Sequence, residues 1–238
     1  MTVTAQFQDR YEAGQFLAAK LTQFNDDPSV LVLALPRGGV PVAYEVARLL
    51  NAPMDVFLVR KMGVPGYEEL AMGAVASGGV RVLNDEVIQR LGISERMIEA
   101  MAQEKLQELE RRELIYRGNR EAIPIEGRTV ILVDDGLATG ASMRAAVHAV
   151  RKRGPKSVNI AVPIGSADTC IQLRNEADTV ICALTPEPFY AVGAWYSDFI
   201  QIPDGEVSRL LDHAAHERRV RQVRAKNDRL SIQEDLMA

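Results

Sequence analysis

Asp134 and Asp135, side by side and followed by the small-residue turn Ala138-Thr139-Gly140-Ala141-Ser142, are the residues whose type and spacing most directly imply chemistry. The whole stretch reads VILVDDGLATGAS from Val130 to Ser142, and a helical pattern continues from Met143 to Val150. A buried strand would thus deliver two carboxylates to the carboxyl edge of a sheet, where open α/β sheets bind ligands. The turn beyond them offers backbone N–H groups and hydroxyls at a helix N-terminus, a setting suited to phosphate. Acceptors for sugar hydroxyls beside an anion cradle match a ribose 5-phosphate. An acidic pair capping an ordinary strand–helix joint is the bland alternative. No G-x-x-x-x-G-K-[ST] segment occurs, and no strand leads into G-x-G-x-x-G, so other phosphate loops are excluded.

A second constellation follows the apolar run Ser29 to Leu35, SVLVLAL, which reads as a buried parallel strand. The run stops at Pro36-Arg37-Gly38-Gly39, and a helical pattern resumes through Val42, Val46, Leu49 and Leu50. The glycines permit close backbone approach, and the Arg37 fork suits phosphate oxygens. A third candidate is Arg60 to Gly79, after the strand-like Met54 to Arg60. Its glycines suggest a mobile lid, with Arg60 and Lys61 at its start. Glu68 and Glu69 face a nucleophile or only solvent. The alternating stretch Leu70 to Val82 is also compatible with a hairpin packed on the sheet. After the last strand comes the densest aromatic stretch, with Phe189, Tyr190 and Trp195; such rings stack on a planar heterocycle or cover the core.

These groups require a frame. Strands are expected near 30–35, 54–59, 129–134, 158–163 and 179–184, separated by helices or the lid, which implies right-handed crossovers and an α/β fold with a mainly parallel central sheet. An N-terminal helix is expected over 5–24, with Phe7, Tyr11, Leu17, Leu21 and Phe24 on one face. Ser94 to Arg117 reads as a long amphipathic helix, capped by Ser94 and supported by Glu108–Arg112 and Glu113–Arg117 at i,i+4 spacing. The tail from Glu206 is expected to be helical. The chain of 238 residues is taken as one domain, 1–238, with lid and helical insertion over 61–120 and a terminal region over 186–238.

Composition narrows the function. Lys and Arg total 28 against 32 Asp and Glu, a net charge of -4, which gives no support for nucleic-acid binding. No apolar stretch approaches a membrane span and no signal-peptide pattern opens the chain, so a cytoplasmic protein is expected. Cys170 and Cys182 read as core residues in a reducing compartment. His148, His213 and His216 read as structural or exposed, and no catalytic Ser/His/Asp or Cys/His arrangement is suggested.

The acidic pair with its Thr-Gly turn resembles the phosphoribosyl-pyrophosphate (PRPP) motif of type I phosphoribosyltransferases. PRGGVPVA, ELAMGAVA and VGAWYSDF resemble bacterial members without a settled substrate. The resemblance implies that Asp134 and Asp135 hold the ribose hydroxyls and that Ala138, Thr139, Gly140, Ala141 and Ser142 wrap the 5-phosphate. It implies a pyrophosphate loop at Pro36, Arg37, Gly38 and Gly39, often with a non-proline cis peptide, assisted by Arg60 and Lys61. It further implies a lid between core strands, a C-terminal hood in which Phe189, Tyr190 and Trp195 stack on the base, and Asp198 reaching a metal–pyrophosphate group. Mg2+ is the implied cofactor, held mainly by PRPP, and a homodimer the implied assembly. The implied reaction transfers phosphoribose between PRPP and a nitrogenous base; a non-catalytic PRPP- or nucleotide-sensing regulator is the alternative. Ala138 stands where the 6-oxopurine branch carries an acid, which disfavours hypoxanthine and guanine.

Overall fold

The apolar runs become strands, and the small-residue turns after them start helices. The structure, a computed structural model, describes residues 6–235, apart from the side chains of residues 69 and 221–235. In chain order the elements are α1 (Arg10–Ala18), β1 (Val30–Ala34), α2 (Gly39–Leu50), β2 (Met54–Val56), β3 (Val59–Val64), β4 (Tyr67–Ala76), β5 (Val80–Leu83), α3 (Asp85–Leu91), α4 (Glu95–Arg117), β6 (Thr129–Val133), α5 (Ala141–Arg151), β7 (Ser157–Ile164), α6 (Ala167–Leu173), β8 (Thr179–Leu184) and α7 (Asp204–Asp235).

Five strands form a parallel sheet in the order β2-β1-β6-β7-β8. Side chains alternate across it, as pleating demands. Val30, Val32, Ala34, Ile131 and Val133 join a core shared with α1, α2, α4 and α7. Leu31, Leu33, Val130 and Leu132 join a second core built on α5 and α6. Each fully buried Leu or Val contributes roughly 1.5–3 kcal/mol. The chain leaves β1 toward β2 on one side, and leaves β6 toward β7 and β8 on the other. The gap between the ends of β1 and β6 is therefore the topological switch point, where such sheets bind ligands.

The glycine-punctuated segment is not a loop. β3, β4 and β5 form a separate antiparallel sheet, with register shifts around Gly63. Met62, Val64, Met72 and Val75 pack into the first core, whereas Ala76 packs into the second, so both faces of the segment are held. The hairpin alternative thus replaces the loop expectation.

Two further expectations change. The N-terminal helix begins only at Arg10, because the Asp9 carboxylate caps it by accepting the amides of Tyr11 and Glu12. It ends at Ala18, a short 3-10 turn covers Thr22–Phe24, and residue 5 lies outside the described span. Cys170 and Cys182 are joined in a disulfide across α6 and β8 rather than standing as free core thiols. Among the described residues no helix is long and apolar enough to cross a membrane. The insertion helix runs 23 residues, with the Ser94 hydroxyl accepting the Met97 amide, and it packs against α7.

Candidate active site

The site assembles at the switch point. β6 ends at Val133, paired with Ala34 of β1 and Ala161 of β7, so Asp134 and Asp135 leave the centre of the sheet. Beside them lies the turn after β1. Its Pro36–Arg37 peptide is cis, and Gly38 and Gly39 pack directly on the acids. A Cβ on Gly38 would sit 2.0 Å from Asp135 Oδ2, and one on Gly39 would sit 2.8 Å from the Asp134 Cα. Only glycine fits there, so the two loops interlock.

Both loops start helices whose first N–H groups have no side-chain cap. Gly38 precedes α2 and Gly140 precedes α5, and neither end has a capping side chain. Gly140 adopts a positive φ of 69° and a Cβ there would meet Thr169 Cγ2 at 2.6 Å. At α2 the Gly39 and Val40 amides donate to the Leu35 and Arg37 carbonyls and Pro41 has no N–H, so the partial positive charge of free helix-start amides belongs to α5. Thr139 and Ser142 are exposed beside that start. The turn is braced from α6: the Thr169 hydroxyl donates to the Ala138 carbonyl at 2.7 Å.

The acids themselves resist ionisation. Burial, and then the neighbouring Asp135, push the Asp134 carboxyl well above the usual carboxylate range. Burial also raises Asp135, while the Arg10 guanidinium pulls it back down. Arg10 places Nε and Nη2 each 2.9 Å from Asp135 Oδ2. The Asp135 amide donates to Asp134 Oδ1 at 2.9 Å. Asp134 Oδ2 and Asp135 Oδ1 receive no protein donor among the described residues.

The C-terminal segment closes over this point. The Tyr196 hydroxyl donates to the Asp135 carbonyl at 2.6 Å. Arg10 Nη1 donates to the Ile200 carbonyl at 3.0 Å, and its guanidinium lies 3.9 Å from the centre of the Phe199 ring. Val192 covers Gly136, with Cγ1 2.5 Å from where a Cβ would be. Phe189 and Trp195 are partly buried against Phe7, Ala13, Ile164 and Tyr196, while Tyr190 is 72% exposed. Trp195 Nε1 is buried and finds no partner among the described residues. Asp198 is exposed and accepts the Ile200 amide at 3.1 Å.

The remaining sequence candidates are placed less decisively. Arg37 reaches Asp204 at 3.7 Å. Arg60 is tied to Glu108 of α4 at 3.1 Å, while Lys61 on β3 is exposed with no ion pair among the described residues. Sequence reasoning did not identify Arg10, Tyr196, Phe199 or Thr169 as site residues. Tyr196 and Phe199 lie within the aromatic stretch, whereas nothing in the sequence around Arg10 marks it.

Magnesium tests the acids in another way. Among the described residues no three His, Cys, Asp or Glu side chains gather as a metal cage. The donor set fits an ion carried by substrate phosphates and touched by one or two carboxylates, the usual arrangement for Mg2+.

Comparison with known proteins gives this arrangement relatives. The model of the phosphoribosyl transferase domain matches residues 5–189. Two Mycobacterium tuberculosis proteins, from strains CDC 1551 and H37Rv and provisionally named phosphoribosyl transferases, are 47% identical over 208 residues. The matched region takes in 87% of this chain and 47% of each relative, so the chain spans about half their length. The crystal structure of TT1426 from Thermus thermophilus superposes with a TM-score of 0.78 at 42% identity, covering 87% of this chain and 97% of that one.

Proposed function

Because this chain belongs to the phosphoribosyl transferase family, we propose that it transfers the 5-phosphoribosyl group between PRPP and a nitrogenous base, releasing pyrophosphate in a Mg-dependent reaction. The observation that carries the reading is the under-satisfied acid pair at the switch point, interlocked with a glycine turn and followed by the helix start at Gly140, which has no capping side chain.

Each part has a role in the chemistry. Asp134 and Asp135 accept the ribose hydroxyls with the oxygens that no protein donor fills. The amides of residues 140–142 and the hydroxyls of Thr139 and Ser142 hold the 5-phosphate. The turn at Pro36, Arg37, Gly38 and Gly39 receives the pyrophosphate, with Lys61 and Arg60 as further cations. When pyrophosphate departs, positive charge grows on the sugar and negative charge on the leaving group. Arg37, Lys61 and the loop amides stabilise the latter by fixed electrostatics. Bound with PRPP, Mg2+ would supply further neutralisation of the leaving group, with Asp198 and the acid pair as the protein oxygens nearest in kind. The paired carboxylates favour cationic character in the sugar, and no covalent enzyme nucleophile is needed. Trp195 Nε1, buried with no acceptor among the described residues, is the donor on offer to a base stacked near Phe189 and Tyr190.

The same reading expects a cytoplasmic homodimer. The Cys170–Cys182 bond is the one observation that pulls against a reducing compartment.

The test is pyrophosphate release from Mg–PRPP across purine, pyrimidine and other nitrogenous acceptors, alongside PRPP binding by calorimetry. The control combines Asp134→Asn with Asp135→Asn. Acceptor-dependent release that the control abolishes establishes the reaction and names the acceptor class. Tight PRPP binding with silence across the panel would replace turnover by sensing. No PRPP binding at all would overturn the site assignment.

A further inference from the structure

The opposite edge of the parallel sheet holds a cavity that the proposed reaction does not use. It measures about 290 Å³, and its walls include Pro28, Pro53 and Arg128, which lead into or precede β1, β2 and β6. Tyr44 and Arg48 of α2 and Arg218 of α7 complete it. Every strand-leading residue in that set enters its strand from the amino end, so the cavity lies at the edge remote from Asp134 and Asp135. A second cavity of about 550 Å³ continues along α7, shares Arg218, and adds Arg120 and Arg219.

What distinguishes this place is how its cations are partnered. Arg48 has Glu45 at 2.6 Å, and Arg120 has Asp212 at 3.2 Å. Arg128 and Arg218 have neither an ion pair nor a side-chain hydrogen bond among the described residues. Burial and then the charge of Arg128 depress the Arg218 guanidinium below its ordinary value. Two like charges brought together in a half-buried hollow are unfavourable unless something anionic sits with them. The acid in the cavity wall, Glu217, accepts the Tyr44 hydroxyl at 3.1 Å. The carboxyl end of α2 also repels anions, so the favourable position for one is between Arg128 and Arg218.

We propose that this cavity is a second anion site, which binds a phosphorylated small molecule with its phosphates between Arg128 and Arg218. The guanidinium forks match phosphate oxygens. Pro28, Pro53 and the Tyr44 ring offer the apolar surface against which a base or sugar would lie, and the volume is at the lower end of the range for small-ligand sites. α2 runs from this cavity to Gly39 beside the acid pair, so both sites share one rigid element. The proposal does not depend on the transferase reading.

Calorimetric titration of the full chain with tripolyphosphate tests it, using Arg128→Gln and Arg218→Gln at this edge and Arg37→Ala at the other. Circular dichroism confirms that each variant is folded. The native chain should show a binding site that Arg37→Ala leaves in place and that either glutamine variant weakens about tenfold or more. Arg218→Lys should keep part of the affinity. Binding that Arg37→Ala removes entirely, or that both glutamine variants leave at the native value, would overturn the proposal. Failure of the transferase reading would look different: the site at this edge would persist, and no binding would respond to Arg37→Ala.

Discussion

Two buried aspartate–arginine pairs in this molecule have the same components and opposite degrees of satisfaction. Asp55 on β2 accepts Arg117 Nε and the Val56 amide on Oδ1, each at 2.8 Å, and the Ile123 amide on Oδ2 at 3.0 Å. Arg117 also donates to the Val56 carbonyl at 2.6 Å and meets Glu113 at 3.1 Å. The side chains are 7% and 9% exposed, and both carboxylate oxygens are engaged. Asp135 and Arg10 are nearly as buried, at 15% and 8%, yet both guanidinium contacts fall on one oxygen. Burial does not separate the two pairs; the supply of donors does. A saturated carboxylate fixes the end of α4 to the sheet edge, while an unsaturated one leaves lone pairs for a ligand.

The largest effect should come from breaking the saturated pair. Arg117→Ala leaves Asp55 charged and buried with only two amides, and removal of one partner from such a pair costs about 3–5 kcal/mol. Urea denaturation reads this directly as a lower midpoint at unchanged slope. A loss under about 1 kcal/mol would place Arg117 with ordinary surface ion pairs and dissolve the contrast.

How much of this could be read from sequence follows from range. The strands of the main sheet were legible because apolar, β-favouring residues dominate each of them, and the acid pair and the glycine turn were legible because their parts are adjacent. The Glu113–Arg117 pair was legible for the same reason, being one helical turn apart. Asp55 was not, since its partner lies 62 positions away. Arg10 was hidden further still, 125 positions from Asp135, and its own surroundings offer only the pattern of a surface helix. The sheet β3-β4-β5 was partly obscured by its glycines, which read as flexibility although Met62, Met72 and Val75 are buried around them. Cys170 and Cys182, 12 residues apart, meet only because α6 folds back on β8.

The next effect concerns Asp134, where stability and binding should oppose each other. Its carboxyl is raised in the folded chain, so the folded state holds the proton more tightly than the unfolded one. The stability linked to that proton is complete below the unfolded value and is lost as pH rises through the raised folded value. At neutral pH, where the unfolded carboxyl is ionised, the native protein therefore carries a cost, either of desolvating the charge or of keeping the proton. Asp134→Asn keeps an oxygen for the Asp135 amide and removes that cost. We expect a gain of about 1–2 kcal/mol at pH 7, shrinking to nothing in acid, together with a loss of turnover of about 100- to 1,000-fold. Thermal melts across pH check the first and pyrophosphate release the second. A variant less stable than native at pH 7 would mean that Asp134 is satisfied as Asp55 is.

Arg10 gives the smallest effect and the finest distinction. If it serves only to hold the chain, as Arg117 does, its replacement should change stability and leave the pH dependence of activity alone. If it sets the charge of a ligand-binding acid, the profile itself must move. Arg10 lowers an Asp135 carboxyl that burial raises, so Arg10→Gln lets that carboxyl rise further and shifts the acid limb of kcat/KM to higher pH. Arg10→Lys keeps the charge but gives up the fork that reaches both Asp135 and the Ile200 carbonyl. About one hydrogen bond is then lost, roughly 1 kcal/mol, which corresponds to a several-fold rise in KM for PRPP at a nearly native pH profile. The two variants thus separate charge from geometry at one residue. Identical profiles in native, Gln and Lys proteins would reduce Arg10–Asp135 to a second copy of Arg117–Asp55, and the free oxygens on the acid pair would need another explanation.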